Sequence, residues 1–262
     1  MAAPSGGAPG TVPAAAAPGA YLSGMCGRYG LANPARILDL PFADAGLAPA
    51  LAEPFAELTP RWNIAPGGTV LAVAADHDGV RPTPLTWGLV PFWAKERSIG
   101  HRLANARDDS VRAKPAFRAA FRARRALVFG DLFYEWQAMP GAARKQPWCA
   151  RRPDGAPFAF AALWERWTPP APEAPMPLET FTLITTRPNA IMARVHDRMP
   201  VLLAPSAWEA WLDVQQPLDR IEALLQPAPD EALDVWPVSR RVNNPRADGP
   251  ECAAPLDDRA TM

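Results

Sequence analysis

The sequence is poor in the residues that build metal centres and crosslinked frameworks: its 262 residues include three Cys and three His. Cys26, Cys149 and Cys252 are odd in number, far apart and without metal-ligand spacing. That argues against a disulfide framework and a structural zinc site, and it fits a reducing compartment. Pro or Arg interrupts every apolar stretch well short of the roughly 18 residues a membrane span needs. No Gly-x-Gly-x-x-Gly, phosphate-loop signature or internal repeat occurs, so a nucleotide cofactor has no support and none is expected. No Lys or Arg precedes Arg28, so a secretory signal of the usual kind is not expected. Net charge is also lacking, with 27 basic against 27 acidic residues, and a uniformly basic nucleic-acid binder is therefore disfavoured.

What remains is a globular composition, 48% hydrophobic and 21% charged, in a length suited to one domain. Residues 1–24 hold eight Ala, five Gly and four Pro and no charge, and they read as a disordered extension. Residues 246–262 read as an irregular tail, which bounds the domain at 25–245. Strand-type runs occur at Thr69–Ala75, Ala126–Trp136, Pro157–Trp164, Phe181–Thr186 and Met199–Leu203. Helices are expected after Pro115, with Phe117 and Phe121 one turn apart, near Ser206 as an N-cap, and over Leu218–Leu225. Strands and helices do not alternate, so the expected fold is α+β, a curved and mostly antiparallel sheet flanked by helices.

Four features carry chemistry. Cys26 follows Met25; with Met25 removed it would present a free α-amine and a thiol, which together capture an aldehyde as a five-membered thiazolidine. The plainer alternative is a small buried hydrophobe. Glu135 lies in Phe133-Tyr134-Glu135-Trp136, where burial among aromatics would raise its pKa to that of a general acid, while strand alternation places it equally well in solvent. His196, in Val195-His196-Asp197-Arg198, has an Asp-Arg neighbour that either fixes its tautomer or forms an unrelated surface pair. From Lys95 to Arg125 ten Lys or Arg face Glu96, Asp108 and Asp109, a local basic stripe accompanied by Trp87, Phe92, Trp93, Phe117 and Phe121. Basic groups with exposed rings suit an unpaired nucleic-acid strand, although a solvated helix face accounts for the charge equally well.

Together, Met25-Cys26-Gly27-Arg28-Tyr29, Arg61-Trp62-Asn63-Ile64-Ala65-Pro66-Gly67, Trp87-Gly88-Leu89-Val90-Pro91, Asn105-Ala106-Arg107, Phe133-Tyr134-Glu135-Trp136, His196-Asp197-Arg198-Met199-Pro200 and Pro237-Val238-Ser239-Arg240 resemble, in order, the SOS response-associated peptidase family. The resemblance implies a sensor of abasic sites in single-stranded DNA whose N-terminal Cys, here Cys26, forms a thiazolidine with the ring-opened sugar, with associated autoproteolytic and lyase-type chemistry. It implies proton transfer by Glu135 and His196, and orientation of the sugar or the Cys backbone by Asn105. It assigns DNA contacts to Arg28, Arg107, Asn63, Pro66, Trp93 and Thr185. A monomer suffices for this chemistry, no membrane is involved, and a cytoplasmic location with nucleoid association during DNA damage is expected.

Two departures stand out. In a chain translated from Met1 the α-amine of Cys26 is locked in an amide, so either the start is misassigned or the chain is cut after Met25. Arg187-Pro188 stands where related sequences carry smaller or acidic residues, at the rim of the expected pocket. Two rival readings are a cysteine hydrolase using Cys26, His196 and Asn105, and a noncatalytic single-strand binding module whose binding survives Cys26→Ala.

Overall fold

The computed structural model describes residues 27–170 and 176–256. Cys26 and the 1–24 extension lie outside the described residues. In chain order the elements are β1 (Arg28–Leu31), β2 (Arg61–Ile64), β3 (Thr69–Asp76), β4 (Gly79–Trp87), β5 (Asn105–Arg107), α1 (Asp108–Val111), α2 (Arg118–Ala123), β6 (Arg125–Gly130), β7 (Leu132–Gln137) and β8 (Gln146–Arg151). They continue with β9 (Phe158–Trp167), β10 (Leu178–Thr186), β11 (Met199–Pro200), β12 (Leu202–Leu203), α3 (Trp208–Leu212), α4 (Leu218–Ala223) and β13 (Asp234–Pro237).

Strands β4, β3, β6, β9 and β10 pair in that order, and β10 returns to β4 in parallel register, Thr180 opposite Thr86 and Phe181 opposite Trp87, so the sheet closes on itself. Closure removes open edges, which would otherwise template pairing with other chains. β5 adds to β10 in parallel, while β11 and β12 pair with β10 and β9. A second, antiparallel sheet runs β13-β8-β7-β1-β2. The expected α+β fold with a curved, mainly antiparallel core is the one observed.

β9 explains why the barrel wall is buried on both sides. Its two-residue period sends Phe158, Phe160, Ala162 and Trp164 into one cluster with Tyr29, Phe133 and Trp87, and Ala159, Ala161 and Leu163 into another with Phe121, Trp208, Trp211 and Ile221. The first cluster joins the barrel to the second sheet; the second lies beneath α2, α3, α4 and the 3-10 turns of residues 34–55.

The Ala126–Trp136 run, expected as one strand, is two strands in different sheets. The break is at Gly130-Asp131. A side chain on Gly130 would meet the Phe160 ring at 2.9 Å and the Gly30 carbonyl at 3.0 Å, so only glycine lets β1 cross here. Asp131 is buried and accepts from the Ala32 and Asn33 amides at 2.9 and 2.8 Å, fixing the turn out of β1. Ser206 sits inside a 3-10 turn that leads into α3 rather than capping it. Phe117 and Phe121 are both buried, which withdraws them from any stacking surface.

Residues 246–256 pack on the second sheet. Cys252 is buried, the Trp236 indole donates to the Ala253 carbonyl at 2.8 Å, and Val238 bridges Pro255. Among the described residues no helix is long and apolar enough to cross a membrane, and no group of three His, Cys, Asp or Glu side chains is disposed to hold a metal.

Candidate active site and nucleic-acid interface

Glu135 points inward: it is 2% exposed, on a strand whose Phe133 and Tyr134 are fully buried. Alternation does not expose it because both faces of β7 are packed, Phe133 in the cluster shared with the barrel and Tyr134 in another with Val238, Val242 and Cys252. Glu135 lies opposite Trp148 of β8, and its neighbour Tyr134 lies opposite Arg28 of β1. The chain entering β1 therefore arrives beside the position of Glu135.

β7 also reaches the His196 segment, because the Gln137 amide donates to the Arg194 carbonyl at 2.6 Å. His196 is largely buried, its side chain 15% exposed. Its Nδ1 accepts from the Arg198 amide at 3.2 Å and lies 3.0 Å from the Asp197 carboxylate. Burial lowers the imidazole pKa, with Lys145 adding to the effect and Asp197 opposing it. The ring is thus neutral at pH 7. Since the unfolded ring binds a proton more readily, folding stability from this group is present above about pH 6.5 and is lost as pH falls through the lower folded value. His196→Gln is expected to shrink the loss of stability between pH 7.5 and 5, read from urea denaturation at the two pH values.

The His196 segment is anchored in turn to the strand that carries Asn105. The Arg198 guanidinium donates through Nη2 to Asp108 Oδ1 and to the Thr185 carbonyl, both at 2.5 Å, and Thr186 Oγ1 donates to Asp108 Oδ2 at 2.7 Å. Parallel pairing sets Asn105 opposite Leu183 and Arg107 opposite Thr185. Asp108 and Arg198 were missed as site-building residues: sequence reading counted Asp108 only as a charge, and only its place directly after Asn105-Ala106-Arg107 hinted at more.

Residues 88–104 form an excursion from the barrel that ends at Asn105. Gly88 starts it at φ +114°, and a side chain there would strike the Gly100 carbonyl at 2.8 Å. A small core of its own, Val90, Ala94 and Trp167, holds it, and the Trp167 indole donates to the Ala94 carbonyl at 2.7 Å. On this rigid support Phe92 (58%) and Trp93 (49%) are exposed, as are Lys95, Arg97, His101, Arg102 and Arg107. Of these, Arg107 is paired with Asp109 at 2.6 Å; the rest of the basic stripe divides. Arg112 pairs with Asp219 and Glu222, and Arg124 with Glu165. Arg125 is fully buried, bonded to the Phe121, Trp211 and Asp213 carbonyls, and burial pushes its pKa down to about 10. Trp87 is also core. Pro66 is half-buried in the turn after β2, and Thr185 is buried with its hydroxyl donating to the Ala106 carbonyl at 3.3 Å.

Arg28 and Asn63, expected to contact DNA, are buried and bonded to protein. Arg28 donates to Asn63 Oδ1 at 3.0 Å and to the Val242 and Asn243 carbonyls at 2.6 and 3.2 Å. The Asn63 amide reaches the Val242, Asn244 and Ala247 carbonyls at 2.8 to 3.1 Å. A buried guanidinium beneath a polar loop persists only with such partners. Asn63→Ala should therefore destabilise the fold by about 2–4 kcal/mol, read by urea denaturation, because it leaves those groups without their partner.

Cys149 and Cys252 are both buried, and burial raises both thiols, so neither is a ready nucleophile near neutral pH.

The model of the SOS response associated peptidase (SRAP) family matches residues 25–245. The chain belongs to this family. It is 37% identical over 199 residues to the abasic site processing protein YoqW of Bacillus subtilis, covering 76% of this chain and 87% of that protein. It is 30% identical over 203 residues to the abasic site processing protein HMCES of Rattus norvegicus, covering 66% of this chain and 56% of that protein. A crystal structure of a Bacteroides thetaiotaomicron protein shares the fold seen here, with TM-score 0.72 at 24% identity, covering 88% of this chain and all of that one.

Proposed function

We propose that this SRAP protein captures abasic sites in single-stranded DNA as a covalent thiazolidine at Cys26, once Cys26 is the N-terminal residue. The observation that carries the reading is the burial of Glu135 beside the entry to β1, the strand that begins two residues after Cys26. The names of the relatives, abasic site processing proteins, agree with it.

In this reaction the Cys26 α-amine adds to the C1′ aldehyde of the opened sugar. The carbinolamine is protonated and loses water, and the thiol then adds to the imine carbon and gives up its proton. One water leaves overall. Glu135 supplies and recovers protons, neutral His196 accepts one, and Asn105 orients the sugar or the Cys26 backbone. The exposed 92–107 segment gathers the strand, with Trp93 and Phe92 replacing lost base stacking and Arg107 holding phosphate. Capture as a thiazolidine removes the aldehyde and so blocks strand cleavage by β-elimination. The autoproteolytic chemistry of the family belongs here too, as the step that exposes Cys26.

The test uses protein beginning at Cys26 and three oligonucleotides: a natural abasic site, a tetrahydrofuran abasic analogue without an aldehyde, and undamaged DNA. A band resistant to denaturing electrophoresis is expected with the first alone. Equal crosslinking to the tetrahydrofuran analogue, or none to the natural site, would overturn the proposal. Arg107→Ala is expected to weaken noncovalent binding and to lower the slope of log affinity against log salt by about 0.7, as measured by fluorescence anisotropy, since one phosphate contact is removed.

A further inference from the structure

The motif Pro237-Val238-Ser239-Arg240 opens a loop that the proposed chemistry leaves without a role. Ser239 Oγ accepts from the Arg241 amide at 3.2 Å and starts the 3-10 turn Arg240–Asn243. Beyond it the chain stays at the surface: Arg240, Arg241, Asn243, Asn244, Pro245 and Arg246 are all exposed. Surface loops with this composition are normally mobile, yet this one is clamped from beneath.

Four of its carbonyls, those of Val242, Asn243, Asn244 and Ala247, are turned inward onto Arg28 and Asn63. Asp248 at its end accepts from the Trp62 and Asn63 amides at 2.5 and 2.8 Å. With the carbonyls pinned inside, the arginine side chains face solvent. Arg241 lies 3.6 Å from Glu251 in an exposed pair, whereas no ion pair engages Arg240 or Arg246 among the described residues. The loop also abuts the active-site strand, because the indole of Trp136, next to Glu135, donates to Asn243 Oδ1 at 2.7 Å. It belongs to the second sheet, whereas the 92–107 segment hangs from the barrel.

We propose that the 240–246 loop is a second phosphate-binding surface, separate from the 92–107 segment, that holds the DNA backbone on one side of the lesion through Arg240 and Arg246. Arg28 and Asn63 are then positioning residues for this loop rather than DNA contacts. The inference rests on the reading of the chain as a single-strand DNA binder. Its chemistry is phosphate recognition by charge on a rigid rail, independent of base identity.

The experiment compares wild-type protein with the double variants Arg240→Ala/Arg246→Ala and Arg240→Lys/Arg246→Lys. Both positions are exposed, so thermal midpoints should match. Anisotropy with undamaged single strands, at several salt concentrations, should show the alanine pair binding about 10-fold more weakly, with a salt slope lower by about 1.4, and the lysine pair near wild type. Abasic oligonucleotides carrying flanking nucleotides on the 5′ side alone or the 3′ side alone should separate, one losing affinity and the other not. At saturating DNA the alanine pair should crosslink at the wild-type rate. An unchanged salt slope, or equal losses with both one-sided substrates, would overturn the proposal. Wild-type protein that binds undamaged strands but never crosslinks would count against the thiazolidine chemistry alone and leave this surface standing.

Discussion

Replacing Glu135 by Gln is expected to slow covalent capture by 100-fold or more while changing affinity for undamaged single strands by less than about 2-fold. Gln keeps the shape and the hydrogen-bonding capacity of the side chain at a site that is 2% exposed, but it cannot deliver and recover a proton. Imine formation requires the carbinolamine oxygen to leave as water, and positioned acids and bases contribute roughly 10²–10⁴ to such steps. DNA affinity should be spared because the exposed rings and cations of residues 92–107 lie on a different element, braced by their own small core. Single-turnover crosslinking at saturating DNA reads the first quantity, and anisotropy reads the second. Equal losses in both would mean that Glu135 supports the binding surface and has no separate part in the chemistry.

The second large effect concerns Cys26. Cys26→Ser in a chain trimmed to that residue should abolish the stable adduct, since the hydroxyl is a far weaker nucleophile toward the imine than the thiol. Borohydride should still trap the imine formed by the α-amine. Restoring Met25 before Cys26, in a form that is not removed, should abolish the thiazolidine, because an amide nitrogen does not condense with an aldehyde. The two variants separate this account from a cysteine hydrolase, for which an internal Cys26 would serve as well as a terminal one. Cys149 and Cys252 should not substitute, being buried with raised thiol pKa values.

Much of the architecture was legible where pattern and packing agree. The Thr69–Ala75 run is β3, and the Pro157–Trp164 run falls on β9. The break at Gly130-Asp131 was not legible, because both halves are apolar and the reason for the turn is the crossing of β1, about 100 residues earlier in the chain. Burial of Glu135 depends on packing against both faces of β7, which no local pattern records. The burial of Arg28 and Asn63 was not legible for the same reason: most of their acceptors lie in residues 242–247, some 180 to 215 positions away. The basic stripe was read as one surface, whereas folding turns Arg125 into a buried clamp for the ends of α2 and α3 and leaves the cations of residues 95–107 outside.

The central claim, covalent capture of an aldehyde by an N-terminal Cys26, is tested most directly by intact mass spectrometry of the protein before and after mixing with a single-stranded oligonucleotide carrying one abasic site. The account predicts that protein beginning at Cys26 gains the mass of the oligonucleotide less one water and that this product survives denaturation. Protein verified to begin at Cys26 that shows no such gain, or a gain of the full oligonucleotide mass with no water lost, would contradict it.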